Sequence, residues 1–433
     1  MGTAESAAQR VRAGEAAVFC RVRPAEDGVP CILSAAANST HVLVRDPSCA
    51  PSVPMQQAVR RYRISPSGLI GSAGADSSQS LLFDRLGRGV FQRWMAGLSA
   101  TVIACGESGA GKTHTIFGAV EGSDRGLCPR LLELFFDPHS ATLGAWPSTL
   151  LGVSCWEVRS AGSAVDLLAS VSHDGVSADG VSYEARESEP RARAALPFVT
   201  VGASSLVEAR RLIALARSRS LNQPDASGTG EQSVPNRASL FVRLGHSNGA
   251  LHLVDLVGTR PHGRDEHPCD NGRPSDADER RSHSEQLVSF SRLISELSQL
   301  ELEAEGGCCA PPATASPRTT APPLAASPNS SLRMRRTSAI SSAKDSELAS
   351  QLAPLIANGH TSLLACVRAG PGSFLETCNT LRVASRALSI RTVPRPSAAD
   401  ETMPPRRLWL PAQHVLPAQH VLPAQHVLPA QHV

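Results

Sequence analysis

The feature that most limits what this chain can be is the octapeptide Gly106-Glu107-Ser108-Gly109-Ala110-Gly111-Lys112-Thr113. It follows the apolar run Thr101–Cys105 and precedes a helix-compatible stretch, the order in which the GxxxxGK[ST] pattern cradles phosphate. Its glycines let backbone N–H groups wrap an oxyanion where a Cβ-bearing residue would resist. In such a loop Lys112 reaches the β- and γ-phosphates and Thr113 offers an oxygen to Mg²⁺, while the following helix adds its positive end. The alternative, a glycine-rich turn of no consequence, does not account for the complete pattern with both flanks.

Around this loop, strand-like and helix-like segments alternate from Ala17 to about Thr392, the mark of an α/β sheet protein. Short apolar runs ended by turn signals predict strands at Ala17–Val22, Thr101–Cys105, Gly152–Val158, Phe198–Val201, Ser239–Leu244, Leu251–Leu256 and Ser362–Val367. Helical spacing marks Leu206–Ala216, Ser284–Leu302 and Phe374–Leu388. Residues 1–16 read as a flexible leader, and residues 303–343, poor in large apolar side chains, as a disordered insertion. The insertion carries the basic cluster Arg333-Met334-Arg335-Arg336 beside Thr337 and Ser338, a solvated stretch or a place where phosphate would offset arginine charge. Residues 393–433 read as a disordered tail, whose four copies of Leu-Pro-Ala-Gln-His-Val have a proline too often for a helix and a period too short for a solenoid.

Composition narrows the class. Hydrophobic residues make up 41% of the 433, enough for a core, and aromatics only 4%, so that core is aliphatic. A net charge of +3 gives no footprint for nucleic acid. Eleven cysteines without framework spacing, and no secretory leader, read as reduced cytosolic thiols. His262, His267 and Cys269 lack a compact ligand pattern and read as a polar loop. No apolar run reaches the ~18 residues of a membrane span. The start Met1-Gly2-Thr3-Ala4-Glu5-Ser6 fits the N-myristoylation pattern.

A phosphate loop is common to nucleotide kinases, GTPases, myosins and kinesins; four further segments resemble the kinesin motor domain. Phe19-Cys20-Arg21-Val22-Arg23-Pro24 is similar to the RxRP element that lines the adenine site of that family. Leu98–Gly118 resembles the family's run through its loop, continuing Thr113-His114-Thr115, although Glu107-Ser108 looks more like myosin. Leu253-Val254-Asp255-Leu256-Val257-Gly258-Thr259-Arg260 resembles the switch II stretch DLAGSE. Glu376–Ala387 is close to ETxxTLRFASRA, with Leu381 and Ala384 on one helix face and Arg382 and Arg386 on another. The resemblance implies a kinesin-type P-loop NTPase with a central, mostly parallel sheet flanked by helices, spanning residues 17–392 as one motor domain. It implies ATP and Mg²⁺ as cofactors, with nucleotide held by Arg21, Arg23, Pro24, His114 and the loop residues Gly106 to Thr113. Thr113 would ligate Mg²⁺ directly and Asp255 through water, while Gly258 would offer its N–H to the γ-phosphate. It further implies microtubules as partner and the cytoskeleton as location.

Departures from the family fall on the catalytic stretches. Where switch I reads NxxSSRSH, Pro235 and Asn236 stand at the paired serines, with Arg237 at the arginine. Proline has neither hydroxyl nor N–H to replace a serine in kind. Arg260 replaces the switch II glutamate that pairs with that arginine, so Arg237 and Arg260 would repel and favour an open site. Glu347 replaces a lysine expected to meet the filament, leaving Arg333, Arg335 and Arg336 to restore charge and to make binding salt-sensitive. Pro394 and Pro396 follow without heptads, which predicts no coiled-coil stalk and a monomer. Two readings follow from the resemblance: a microtubule motor domain with impaired hydrolysis, or a non-hydrolysing, nucleotide-gated microtubule-binding scaffold. An unrelated phosphotransferase does not need the Glu376–Ala387 match.

Overall fold

A computed structural model of the chain describes residues 16–24, 28–50, 52–71, 76–119, 122–137, 150–159, 163–169, 198–220, 238–246, 249–259, 285–300 and 346–391. The strands are β1 (Ala17–Arg23), β2 (Leu33–Ala35), β3 (His41–Arg45), β4 (Val59–Arg63), β5 (Leu69–Ile70), β6 (Ala100–Gly106), β7 (Leu151–Arg159), β8 (Ala164–Asp166), β9 (Val201–Ala203), β10 (Ala238–Gly245), β11 (Ala250–Asp255) and β12 (His360–Arg368). Nine of them form one sheet in the order β5-β1-β12-β6-β11-β10-β7-β8, with β9 added on β7. The run β5-β1-β12-β6-β11 is parallel, and β10, β7, β8 and β9 continue it antiparallel. Every residue of β6, β10 and β11 is buried. Strands covered on both faces read as continuous apolar runs, which is why these were visible in the sequence.

The pleat divides β1 between two cores: Val18, Cys20 and Val22 face one layer, Ala17 and Phe19 the other. The first layer is closed by a helix over residues 285–300, by Glu347–Asn358 and by Phe374–Ala387. The second is closed by Leu127–Phe136, by Leu206–Arg219 and by a helix that runs through Gln79–Leu82, a π-helical turn at Phe83–Gly87, and Arg88–Met95. The result is an α/β/α sandwich, in agreement with the fold class read from the sequence. The expected strand Phe198–Val201 is found slightly later, as β9, and the expected helix Leu206–Ala216 runs on to Arg219. Ser205 starts that helix, its hydroxyl accepting from the Glu208 N–H at 3.2 Å.

A separate antiparallel sheet, β2-β3-β4, is packed on the first layer through Val42, Val44 and Tyr62. The described cysteines are all free thiols, and no described helix is long and apolar enough to cross a membrane.

One buried base gives the fold a pH dependence. His252 on β11 lies opposite Arg243 on β10, and burial, aided by that guanidinium, depresses its pKa to about 3. Its unfolded value is about 6.5, so the unfolded chain takes up the proton first. The contribution is fully present above pH 6.5 and is lost as pH falls from there towards 3, by up to about 1.4 kcal/mol per unit. Urea midpoints at pH 7 and pH 5 are expected to separate more for the wild type than for His252→Leu.

Candidate functional site

The parallel strands end together at one edge of the sheet, where Arg23, Gly106, Asp255 and Arg368 complete β1, β6, β11 and β12. Crevices at this carboxyl edge are where open α/β sheets take ligands. The chain leaves β6 with three positive φ angles, 142° at Gly106, 75° at Gly109 and 92° at Gly111. Their reasons differ. A Cβ on Gly106 would stand 2.0 Å from the Cys366 carbonyl oxygen, whereas a Cβ on Gly111 would meet nothing within 4 Å. Gly106 therefore answers to the neighbouring strand, and Gly111 to backbone conformation alone on entry to the short helix Lys112–Ile116.

Lys112 is 4% exposed, and its ammonium donates to the carbonyls of Gly106 at 3.1 Å and Glu107 at 2.9 Å. Burial lowers its pKa, and the charge of Asp255 opposes that. Asp255, buried at the end of β11, accepts a 2.6 Å hydrogen bond through Oδ2 from Thr113 Oγ1. Gly258 lies directly over the loop: a Cβ there would be 2.6 Å from Lys112 Nζ and 2.7 Å from the Ser108 nitrogen. Thr259 then pairs with Glu107 as a parallel bridge, its carbonyl accepting the Ser108 N–H at 2.8 Å. Residues 142 apart in sequence thus bring a lysine, a hydroxyl–carboxylate pair and a side-chain-free backbone to one place.

The remaining candidates divide into surface and interior. Arg23 donates to the Gly109 carbonyl at the rim, and Pro24 and His114 are exposed beside it. Arg21 is turned inward, donating to Thr115 Oγ1 at 2.7 Å, the Ser77 carbonyl at 2.9 Å and Gln79 Oε1 at 3.2 Å. These bonds brace β1 against the loop helix. Gln79 completes the brace through the His114 carbonyl at 2.6 Å. Glu107 is 2% exposed, with Oε1 3.8 Å from Arg368; burial raises its pKa, and Ser373 and Arg368 oppose this. Ala110 is buried, and Ser108 is partly exposed. Gln79 and Arg368 carry no motif, and nothing in the sequence singles them out.

Pro235, Asn236, Arg237 and Arg260 lie outside the described residues, as do Gly2, His262, His267, Cys269, Arg333, Arg335 and Arg336.

The residues present suit a magnesium nucleotide. Gly109 and Gly111 leave an open cradle, and a threonine hydroxyl beside a carboxylate is the hard oxygen set that Mg²⁺ prefers. Among the described residues no cluster of three or more His, Cys, Asp and Glu offers a protein-only metal site.

Comparison with known proteins agrees with this geometry. The family model described as Kinesin motor domain matches residues 71–220. The rat kinesin-like protein KIF15 is 31% identical over 152 residues, which is 33% of this chain and 10% of that protein. The Arabidopsis thaliana kinesin-like protein KIN-6 is 28% identical over 197 residues, 42% of this chain and 19% of that protein. Among solved structures, a KIF14 dimer with AMP-PNP in complex with a microtubule superposes with a TM-score of 0.60 at 19% identity, covering 88% of this chain and 95% of that one. Residues 71–220 thus match the kinesin motor-domain family, and the chain has the kinesin motor fold. The sequence matches span a tenth to a fifth of those curated relatives' length.

Proposed function

We propose that this chain is an ATP-binding, microtubule-binding motor domain whose hydrolysis is slow or absent. The observation that carries the reading is the convergence of buried Lys112, the Thr113–Asp255 pair and Gly258 on one glycine-lined loop. Lys112 would neutralise the outer phosphates, and Thr113 and Asp255 would hold Mg²⁺, Asp255 through water. A bound magnesium nucleotide would supply a phosphoryl group activated for transfer. Arg23, Pro24 and His114 would border a base at the rim, and Arg21 would hold that rim in position.

The hydrolytic reading rests on the sequence at the switch positions. Pro235 and Asn236 supply neither serine hydroxyl, and Arg260 would oppose Arg237 where the family's ion pair closes the site. Phosphoryl transfer depends on positioning and electrostatics, and losing one such donor typically costs about 10²–10³ in rate. Filament contact would be weak and salt-sensitive, because Glu347 stands at a position of expected positive charge. That residue opens a helix capped by Ser346 and accepts from Gln351 Nε2 at 2.8 Å.

The decisive measurement pairs ATP turnover, with and without microtubules, with co-sedimentation in ATP and in a non-hydrolysable analogue. Expected are nucleotide binding, microtubule binding that falls steeply with salt, and turnover at least 10²-fold below that of an intact motor domain. Robust microtubule-stimulated turnover would overturn the impaired-hydrolysis reading. Failure to bind nucleotide would overturn the whole assignment.

A further inference from the structure

Away from the phosphate loop, three elements meet in a groove of about 630 Å³: strand β4, the helix over residues 285–300 and the helix Phe374–Ala387 with the residues that follow it. Among the described residues its charged lining is all of one sign. Arg61 and Arg63 come from the strand, Arg382 and Arg386 from the helix, and the rest is serine, Gln299 and Tyr62. All four arginines are exposed, whereas Tyr62 between the first two turns into the core. Among the described residues none of the four lies within ion-pair distance of a carboxylate. Arg382 donates to Asn379 Oδ1 at 3.1 Å and Arg386 to Ser295 Oγ at 3.0 Å, neutral acceptors that fix both side chains without cancelling their charge. Of the described carboxylates on the same elements, Glu296 lies 3.9 Å from Arg292, and Glu376 is near enough to Glu107 for its charge to raise that carboxyl's pKa.

Spacing indicates what such a groove accepts. Arg61 and Arg63 are two residues apart on a strand, about 7 Å, and Arg382 and Arg386 one turn apart on a helix, about 6 Å. Alternate side chains of an extended peptide recur at about the same 7 Å. A lone oxyanion would meet one arginine pair and leave most of the volume unfilled. A run of carboxylates reaches both pairs, and guanidinium forks match carboxylates in bidentate fashion. We infer that this groove docks a glutamate- or aspartate-rich peptide segment of a partner protein.

The test is fluorescence anisotropy of labelled hexaglutamate with the full-length protein at low salt, with hexaglutamine as the neutral control. It uses neither nucleotide nor microtubules, so its outcome is independent of the function proposed above. Expected are binding of hexaglutamate alone, an affinity that falls with added salt, and at least tenfold weakening in Arg61→Gln/Arg382→Gln. The Arg61→Lys/Arg382→Lys variant should keep most of the binding, and the distant Arg88→Gln/Arg211→Gln all of it. No binding by the wild type, or equal loss in the distant variant, overturns the inference. Tighter binding of a peptide copying residues 300–306 would overturn the choice of partner in favour of the chain's own acidic stretch. Loss of binding to anionic lipid vesicles, with hexaglutamate binding unchanged in the groove variant, would overturn it in favour of a membrane.

Discussion

Lys112→Met is expected to weaken ATP binding by roughly 10- to 100-fold while leaving the fold within about 1 kcal/mol of the wild type. The binding loss follows from removing a cation that charge-assisted hydrogen bonds would tie to phosphate. The small effect on stability follows from the site itself. Lys112 is buried, and burial already disfavours its charged form, so methionine removes that desolvation cost together with two hydrogen bonds to carbonyls. These effects oppose each other and are of similar size. A titration with a fluorescent ATP analogue, beside a urea curve, separates the two quantities. A variant that unfolds would show that Lys112 is a structural strut; one that binds ATP normally would show that the loop is not the nucleotide site.

Gly106→Ala is expected to destabilise the protein by about 3–5 kcal/mol, among the larger effects a single substitution produces. Its φ of 142° belongs to a region that side chains rarely adopt, and the added methyl would stand 2.0 Å from the Cys366 carbonyl. That carbonyl belongs to a central strand paired along its length with β6, so relief would require parting two buried strands. Gly111→Ala is the informative comparison. It has positive φ but open space around it, and only the conformational cost of about 1–2 kcal/mol applies. Denaturant midpoints should therefore rank wild type, Gly111→Ala and Gly106→Ala in that order. Equal costs would mean that the Cys366 carbonyl gives way to the added methyl.

The sandwich was legible because its central strands are covered on both sides. Runs such as Thr101–Cys105 and Leu251–Leu256 have no polar alternation to confuse their reading. The small β2-β3-β4 sheet was not legible: β4 buries only Tyr62 among Arg60, Arg61 and Arg63, a pattern shared with a basic loop. The helix from Gln79 to Met95 was hidden by its π turn at Phe83–Gly87, which breaks the 3.6-residue period that would have revealed it. At the site, the motif gave the loop and Asp255. It could not tell that Arg21 points inward, since a strand admits a half-buried arginine only if partners wait there, and Gln79, Ser77 and Thr115 come from elsewhere in the chain.

The Ser108–Thr259 hydrogen bond turns ligand binding into a contest. An occupant that claims the Ser108 N–H must take it from the Thr259 carbonyl, and the two cannot both hold it at full strength. Measured affinity would then be the difference between two bonds, lower by about 1 kcal/mol than the loop alone would give. Occupancy of the loop would thereby be felt at Thr259, just beyond the end of β11.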